Sequence, residues 1–283
     1  MKEGRKLKLD AFSSITPYIM VTRAESCNSI SLEFPCRPAE EFVRQLRSEG
    51  YDSIGMMHVL LASYVRTISQ RPRCNRFIRG QKIYARNGII VNMVVKRKMN
   101  IETEDTIIKM RFNPEDTIFD VYETVNKALA EVMENNNTDF DKTAVLLNYI
   151  PGLVKKFAFW LLKTMDYFGL IPKKLINVSP FHGSLFVTNL ASLNVPSIIH
   201  HLYNFGNIPM FIAFGAKKGI LVLEEDGTVE KERVMDVVIN MDERITDGFY
   251  FASALKILKK VFTHPEELRL PPEKVVVDNG NKS

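Results

Sequence analysis

Apolar residues recur along this chain at two spacings, one close to every second residue and one close to every third or fourth, and the segments alternate. Residues 234–241 form an apolar, β-branched run that predicts a strand. After Gly248, the apolar residues Phe249, Tyr250, Ala252, Leu255, Leu258 and Val261 recur at helical spacing, with Lys256, Lys259 and Lys260 set outward. Pro265 stops that helix. Upstream, residues 39–47 predict a helix with Phe42, Val43 and Leu46 as its stripe. Residues 53–69 predict a more buried helix capped by Ser53, with Met56, Met57, Val59, Leu60, Leu61 and Val65 in the core. Strands are expected at 75–86 and 89–96, separated by the turn dipeptide Asn87-Gly88, and at 106–112, 211–215 and 219–223. Residues 119–134 read as an amphipathic helix carrying Val121, Val125, Ala128, Leu129 and Val132, followed by the polar loop 135–138. A tail over 278–283 is expected to fray. The alternation points to an α/β protein, a mixed sheet covered by helices.

One segment breaks the pattern. Residues 145–175 are apolar and aromatic, include Trp160, and are interrupted by lysines too often for a span of about 20 apolar residues. Three readings stand: an amphipathic hairpin on a membrane surface, a lid over a substrate channel, or packing on the core or at an oligomer contact. The last fits the rarity of large exposed apolar patches.

Composition narrows the class only slightly. A chain of 283 residues with 46% hydrophobic content buries a full core, and residues 1–283 read as a single domain. Cys27, Cys36 and Cys74 lack paired spacing, so neither a disulfide framework nor a metal site is indicated, and reduced thiols in a cytoplasmic protein are expected. Residues 1–10 are basic and polar, with no apolar leader. A net charge of +5 suits phosphate-bearing ligands or an anionic membrane surface, but is too mild to argue for nucleic acid.

Two blocks carry chemistry. The first is Asp242-Glu243-Arg244-Ile245-Thr246-Asp247-Gly248; the second is Gly183-Ser184-Leu185-Phe186-Val187-Thr188-Asn189-Leu190. The first resembles His-x-x-x-Asp-Gly, with Glu243 at the His position, and the second is similar to Gly-x-Phe-Thr-Ile-Ser-Asn-Leu-Gly. Both patterns belong to the catalytic domain of 2-oxoacid dehydrogenase acyltransferases and to chloramphenicol acetyltransferase. The stretch Thr263-His264-Pro265-Glu266-Glu267-Leu268 is similar to the family's Asn-Pro-Glu-x-Leu. The resemblance covers most of residues 12–270 and is strongest after Gly183. It implies the chloramphenicol-acetyltransferase-like fold, a homotrimer with its active site between subunits, and coenzyme A thioesters as substrates. The lipoyl and subunit-binding modules of the dehydrogenase components have no counterpart here, which implies a free-standing catalytic-type domain.

In that family the His takes a proton from the acceptor, and a hydroxyl stabilises the oxyanion that follows. The resemblance places Thr188 at the hydroxyl donor and Asp247 at the residue that supports the loop, with Gly248 in the turn. Glu243 reaches about as far as a histidine, but a glutamate in water has a pKa of about 4.3 against about 8.5 for a thiol, so its basicity is poor unless burial raises it. His182, His200 and His201 flank the second block and are candidate substitutes; if 200 and 201 are extended, only one of them faces the site. His58 and His264 read as structural. Arg71, Arg73, Arg76, Arg79 and Lys96-Arg97-Lys98 suit either coenzyme A phosphates or a solvated surface. The expected function is acyl transfer from acyl-coenzyme A to a small hydroxyl, amine or thiol acceptor. The alternative is a catalytically inactive binding or scaffolding protein that engages a membrane or partner through 145–175.

Overall fold

The computed structural model describes residues 3–96, 105–134, 148–223 and 225–280. Two sheets form. The small one orders β1 (Gly4–Lys6), β4 (Lys82–Arg86) and β3 (Arg76–Arg79), all antiparallel. The large one orders β2 (Cys27–Pro35), β9 (Val229–Asp242), β8 (Met210–Leu223), β7 (Leu185–Asn189), β5 (Ile89–Lys96) and β6 (Asp105–Phe112). Strand β7 runs parallel to both neighbours, and the other pairs in this sheet are antiparallel. The mixed α/β architecture expected from the alternation is the one observed.

The period-two rhythm decides which side faces the core. Val91, Leu185, Val187, Ile212, Phe214, Val237 and Ile239 point to one face and pack beneath α2 (Arg37–Ser48), α3 (Met56–Gln70), α4 (Ile118–Glu134) and α7 (Gly248–Thr263). Every residue of α3 from His58 to Ser69 is buried, as expected of a helix apolar on most sides and enclosed by others. The opposite face carries Phe186, Phe211 and Ala213, covered by Leu202 and Ile208 of the loop that precedes β8.

Several expectations fail for local reasons. Ser53 does not cap α3: its hydroxyl donates to Tyr122, and Gly55 holds the cap position, its amide bonded to the His58 ring. Residues 75–86 are two strands, because Gly80 and Gln81 both adopt positive φ, 54° and 55°, and turn the chain as a hairpin. The Asn87-Gly88 turn does separate two strands as expected, Gly88 adopting φ 74°, and it carries the chain from the small sheet to the large one. Residues 210–223 form one long strand, with a register shift between Phe214 and Lys217 where two strands were expected. Pro17 and the flanking hydroxyl residues conceal α1 (Ala11–Ile19), whose first turn is capped by Asp10 accepting from the Ser13 amide at 2.9 Å. The tail does not fray over 278–280: the Asp278 side chain is buried, and its backbone carbonyl accepts from Arg5. The loop 135–138, residues 145–147, and Arg97 and Lys98 lie outside the described residues.

The described part of the apolar segment folds as α5 (Gly152–Phe168) and α6 (Lys173–Val178). Gly169 ends α5 at φ 69°, a left-handed cap that suits glycine. Neither helix contains a buried residue.

Candidate active site

Strand β9 ends at Asp242, and the next residues coil into a single 3-10 turn, Glu243–Ile245, before Asp247 starts α7. Three interactions shape this corner. Asp242 accepts from the Arg244 amide and forms two bonds with its guanidinium, Oδ1 to Nε at 2.8 Å and Oδ2 to Nη2 at 2.7 Å, both side chains being buried. Arg244 Nη1 also donates to the Met20 and Val21 carbonyls at 2.8 and 3.0 Å, which ties the end of α1 to the corner. Arg76 Nη1 donates to the Ile245 carbonyl at 3.2 Å, while its Nε and Nη2 hold Asp278 at 2.7 and 2.9 Å. A corner clamped from both sides holds the intervening side chain in place.

That side chain is Glu243. It is half-buried, its amide donates to the Ser26 carbonyl at 2.9 Å, and its carboxylate accepts from Asn28 Nδ2. It lines a cavity of about 570 Å³ roofed by Phe12, Thr16 and Met20 of α1 and its C-cap, with Arg73, Arg76 and Arg244 in the wall. Asp247 Oδ1 accepts from the Tyr250 amide at 2.8 Å, capping α7, and Oδ2 lies 4.0 Å from Arg73. Gly248 lies in the same wall. The cavity therefore gathers the carboxylates of Asp10, Glu243 and Asp247 with three guanidinium groups, of which Arg76 is paired with Asp278 and Arg244 with Asp242, beneath a helix that presents Phe12, Ser13 and Thr16.

Thr188 does not join it within one chain. It sits half-buried on β7, and its hydroxyl bonds to no described residue. The register Thr188↔Ala213↔Val238 places Asp242 two strands across and four residues along, roughly 16 Å away, with Glu243 farther still. No side chain spans that gap.

The histidines lie elsewhere. His182 is buried beneath Phe205, with Nδ1 2.8 Å from Ser179 Oγ and Nε2 3.3 Å from Asp166 of α5; burial lowers its pKa although Asp166 pulls the other way. His200 and His201 occupy a loop, not a strand, and their rings stack 4.8 Å apart, so the one-side rule for extended chain does not apply. His200 lies flat on Phe211 at 3.9 Å. None of the three lines the Glu243 cavity. Of the arginines, Arg71 bonds Ser253, Arg76 is buried, and Arg79 pairs with Glu3, so these three are not a solvated surface. Arg73 reaches the cavity.

Sequence reasoning missed Asn28, Arg244 and Asp278. The first and last come from distant segments. Asp242 and Arg244 had a visible signal: an aspartate at the end of an apolar strand run is a cap candidate for the turn that follows, and an arginine two residues on supplies the opposite charge.

No family model and no curated protein matches the chain. Solved structures do. A probable dihydrolipoamide acetyltransferase from Listeria monocytogenes superposes with a TM-score of 0.60 at 12% identity, over 92% of this chain and 94% of that one. The dihydrolipoamide acetyltransferase of Azotobacter vinelandii, in whose mechanism a serine, a histidine and an asparagine were investigated, gives 0.59 at 9%, over 92% and 89%. Chloramphenicol acetyltransferase gives 0.53 at 12%, over 90% and 96%. The chain has the fold of these acyltransferase cores.

Proposed function

We propose that this protein transfers an acyl group from an acyl-coenzyme A thioester to a small acceptor, in a homotrimer where Glu243 of one subunit faces Thr188 of the next. The observation that carries this reading is the clamped Glu243 corner: a carboxylate held in an arginine-walled cavity beneath α1, at the motif position where the sequence resemblance expects histidine. The hydroxyl of Thr188, which bonds to no described residue and lies too far away in its own chain, fits a site completed by a neighbouring copy.

The chemistry follows. The acceptor's N, O or S attacks the thioester carbonyl carbon as Glu243 takes its proton. The oxyanion of the tetrahedral adduct accepts from Thr188. Collapse of the adduct breaks the C–S bond, and the departing thiolate recovers the proton from Glu243. A carboxylate is a weak base, which suits an amine best: the N–H of the charged adduct is far more acidic than a free hydroxyl or thiol. Arg73 supplies positive charge for an anionic donor.

Thiol release from acetyl-coenzyme A and longer thioesters, measured across amine, hydroxyl and thiol acceptors, tests the reading. Glu243→Gln should lower turnover by about 10²–10⁴ and Thr188→Ala by about 10²–10³. Mixing the two variants, unfolded and refolded together, should restore part of the activity, because some interfaces then pair an intact Glu243 with an intact Thr188. Absence of thioester binding by calorimetry refutes acyl transfer, and a monomer in sedimentation refutes the shared site.

A further inference from the structure

Helix α5 has two different faces. Ala158, Phe159, Leu162, Met165 and Asp166 are half-buried and turned to the protein: Phe159 meets Phe205 edge-on at 6.3 Å, and Asp166 reaches His182 and Arg79. On the other side Leu153, Phe157, Trp160, Leu161 and Phe168 recur at helical spacing and face outward, Leu153 being 85% and Trp160 59% exposed. Phe157 and Trp160 stack at 5.6 Å. Leu170 and Leu175 extend this apolar surface toward α6.

Within residues 149–178 the charge left outward has one sign. From residue 149 to residue 178 the charged side chains are Lys155, Lys156, Lys163, Lys173, Lys174 and Asp166. Asp166 is spent inward on His182 and Arg79, so lysines alone flank the apolar face. We propose that α5 and α6 form a docking surface for an anionic lipid bilayer, with α5 lying in the plane of the interface and Trp160 among the headgroups and upper acyl chains. An aromatic face with lysine shoulders is the composition that such helices carry, and no helix among the described residues is long and apolar enough to cross a membrane. A two-fold contact of this face with itself would set lysine against lysine, and the trimer contact proposed above is built on Glu243 and Thr188 instead, whereas an anionic leaflet supplies the missing counter-charge. The inner contacts of Phe159 and Asp166 fix the orientation in which the face is offered.

Trp160 is the only tryptophan in the chain, so its fluorescence reports on this face directly. The full chain is titrated with vesicles of phosphatidylcholine and with vesicles of mixed phosphatidylcholine and phosphatidylglycerol, with co-sedimentation in parallel. The expected result is a blue-shifted Trp160 emission and co-sedimentation with the mixed vesicles, strongly reduced by salt and on neutral ones. Combined Lys156→Gln, Lys163→Gln and Lys173→Gln weakens partitioning by about 100-fold, at about 5-fold per lysine. Phe157→Ser with Leu161→Ser abolishes it while the circular dichroism stays unchanged, both residues being outward. Unchanged emission with mixed vesicles at low salt overturns the proposal. So does a blue shift without vesicles that grows with protein concentration, which assigns the face to another copy of the chain. Neither readout depends on turnover, so the outcome stands apart from that of the acyl-transfer test.

Discussion

Asp278→Asn is expected to be among the most damaging single-atom-scale changes outside the apolar core. Asp278 makes two bonds to Arg76, at 2.7 and 2.9 Å, and both side chains are 5% exposed. Removing one partner of a buried pair costs about 3–5 kcal/mol, because the other charge stays buried without compensation. Arg76 retains the Ile245 carbonyl, and the terminal segment peels away more easily than a core strand, so the lower end, about 3 kcal/mol, applies. For a domain of this size that corresponds to a Tm drop of roughly 5–10 °C by calorimetry. The pH dependence gives a second signature. Burial alone raises the Asp278 pKa, but the Arg76 bonds and charge, with the Gly280 amide and Arg73, hold it below the ordinary carboxylate value. A depressed carboxylate contributes its stability above the unfolded pKa of about 3.9 and loses it as pH falls through the folded value. The gap between wild type and Asp278→Asn is therefore full at pH 7 and closes in strong acid. An unchanged Tm at neutral pH, or a gap that persists undiminished at the acid end, rules out a stabilising role for the ionised Arg76–Asp278 pair.

Two further outcomes are expected. Arg244→Met leaves the Asp242 carboxylate buried without its partner and frees the Met20 and Val21 carbonyls; a loss of about 3–5 kcal/mol and faster proteolytic cleavage around residues 19–22 should follow, measured by denaturant unfolding and limited proteolysis. Lys109, which donates to the Ile176 and Ser179 carbonyls beneath α6, has its pKa pushed down to about 7 by burial and by Arg111 and Arg86. The unfolded chain then binds the extra proton between about pH 7 and 10.4, so stability rises with pH over that window, at up to about 1.4 kcal/mol per unit from this group. Lys109→Met should flatten that rise in urea titrations run across the window, and an identical slope in both proteins counts against it.

The core of this fold was legible in the sequence because its signals are local. Strand β5, helix α4, the inward residues of β9 and the strand, turn and helix around Asp247 all follow from period and capping within a few residues of each position. Glu243 stood out for the same reason, as a carboxylate at a motif position that the resemblance gives to histidine. What the sequence concealed depends on where the chain returns. Asn28 meets Glu243 because β2 pairs with the far end of β9, and Asp278 meets Arg76 across 202 residues of sequence. A pattern of apolar positions says which side of an element is buried, not which distant charge will arrive there. The fate of the histidines was decided in the same way: His182 went to Asp166 of α5, and His200 to the ring of Phe211. The separation of Thr188 from Glu243 is a matter of sheet order and register, which set the two motif residues two strands apart and at different heights along the sheet. Residues 149–178 divide between the two kinds of knowledge: their aromatic and lysine content was plain in the sequence, but only the packing of Phe159 and Asp166 against the body of the protein decided which side of α5 is left facing outward.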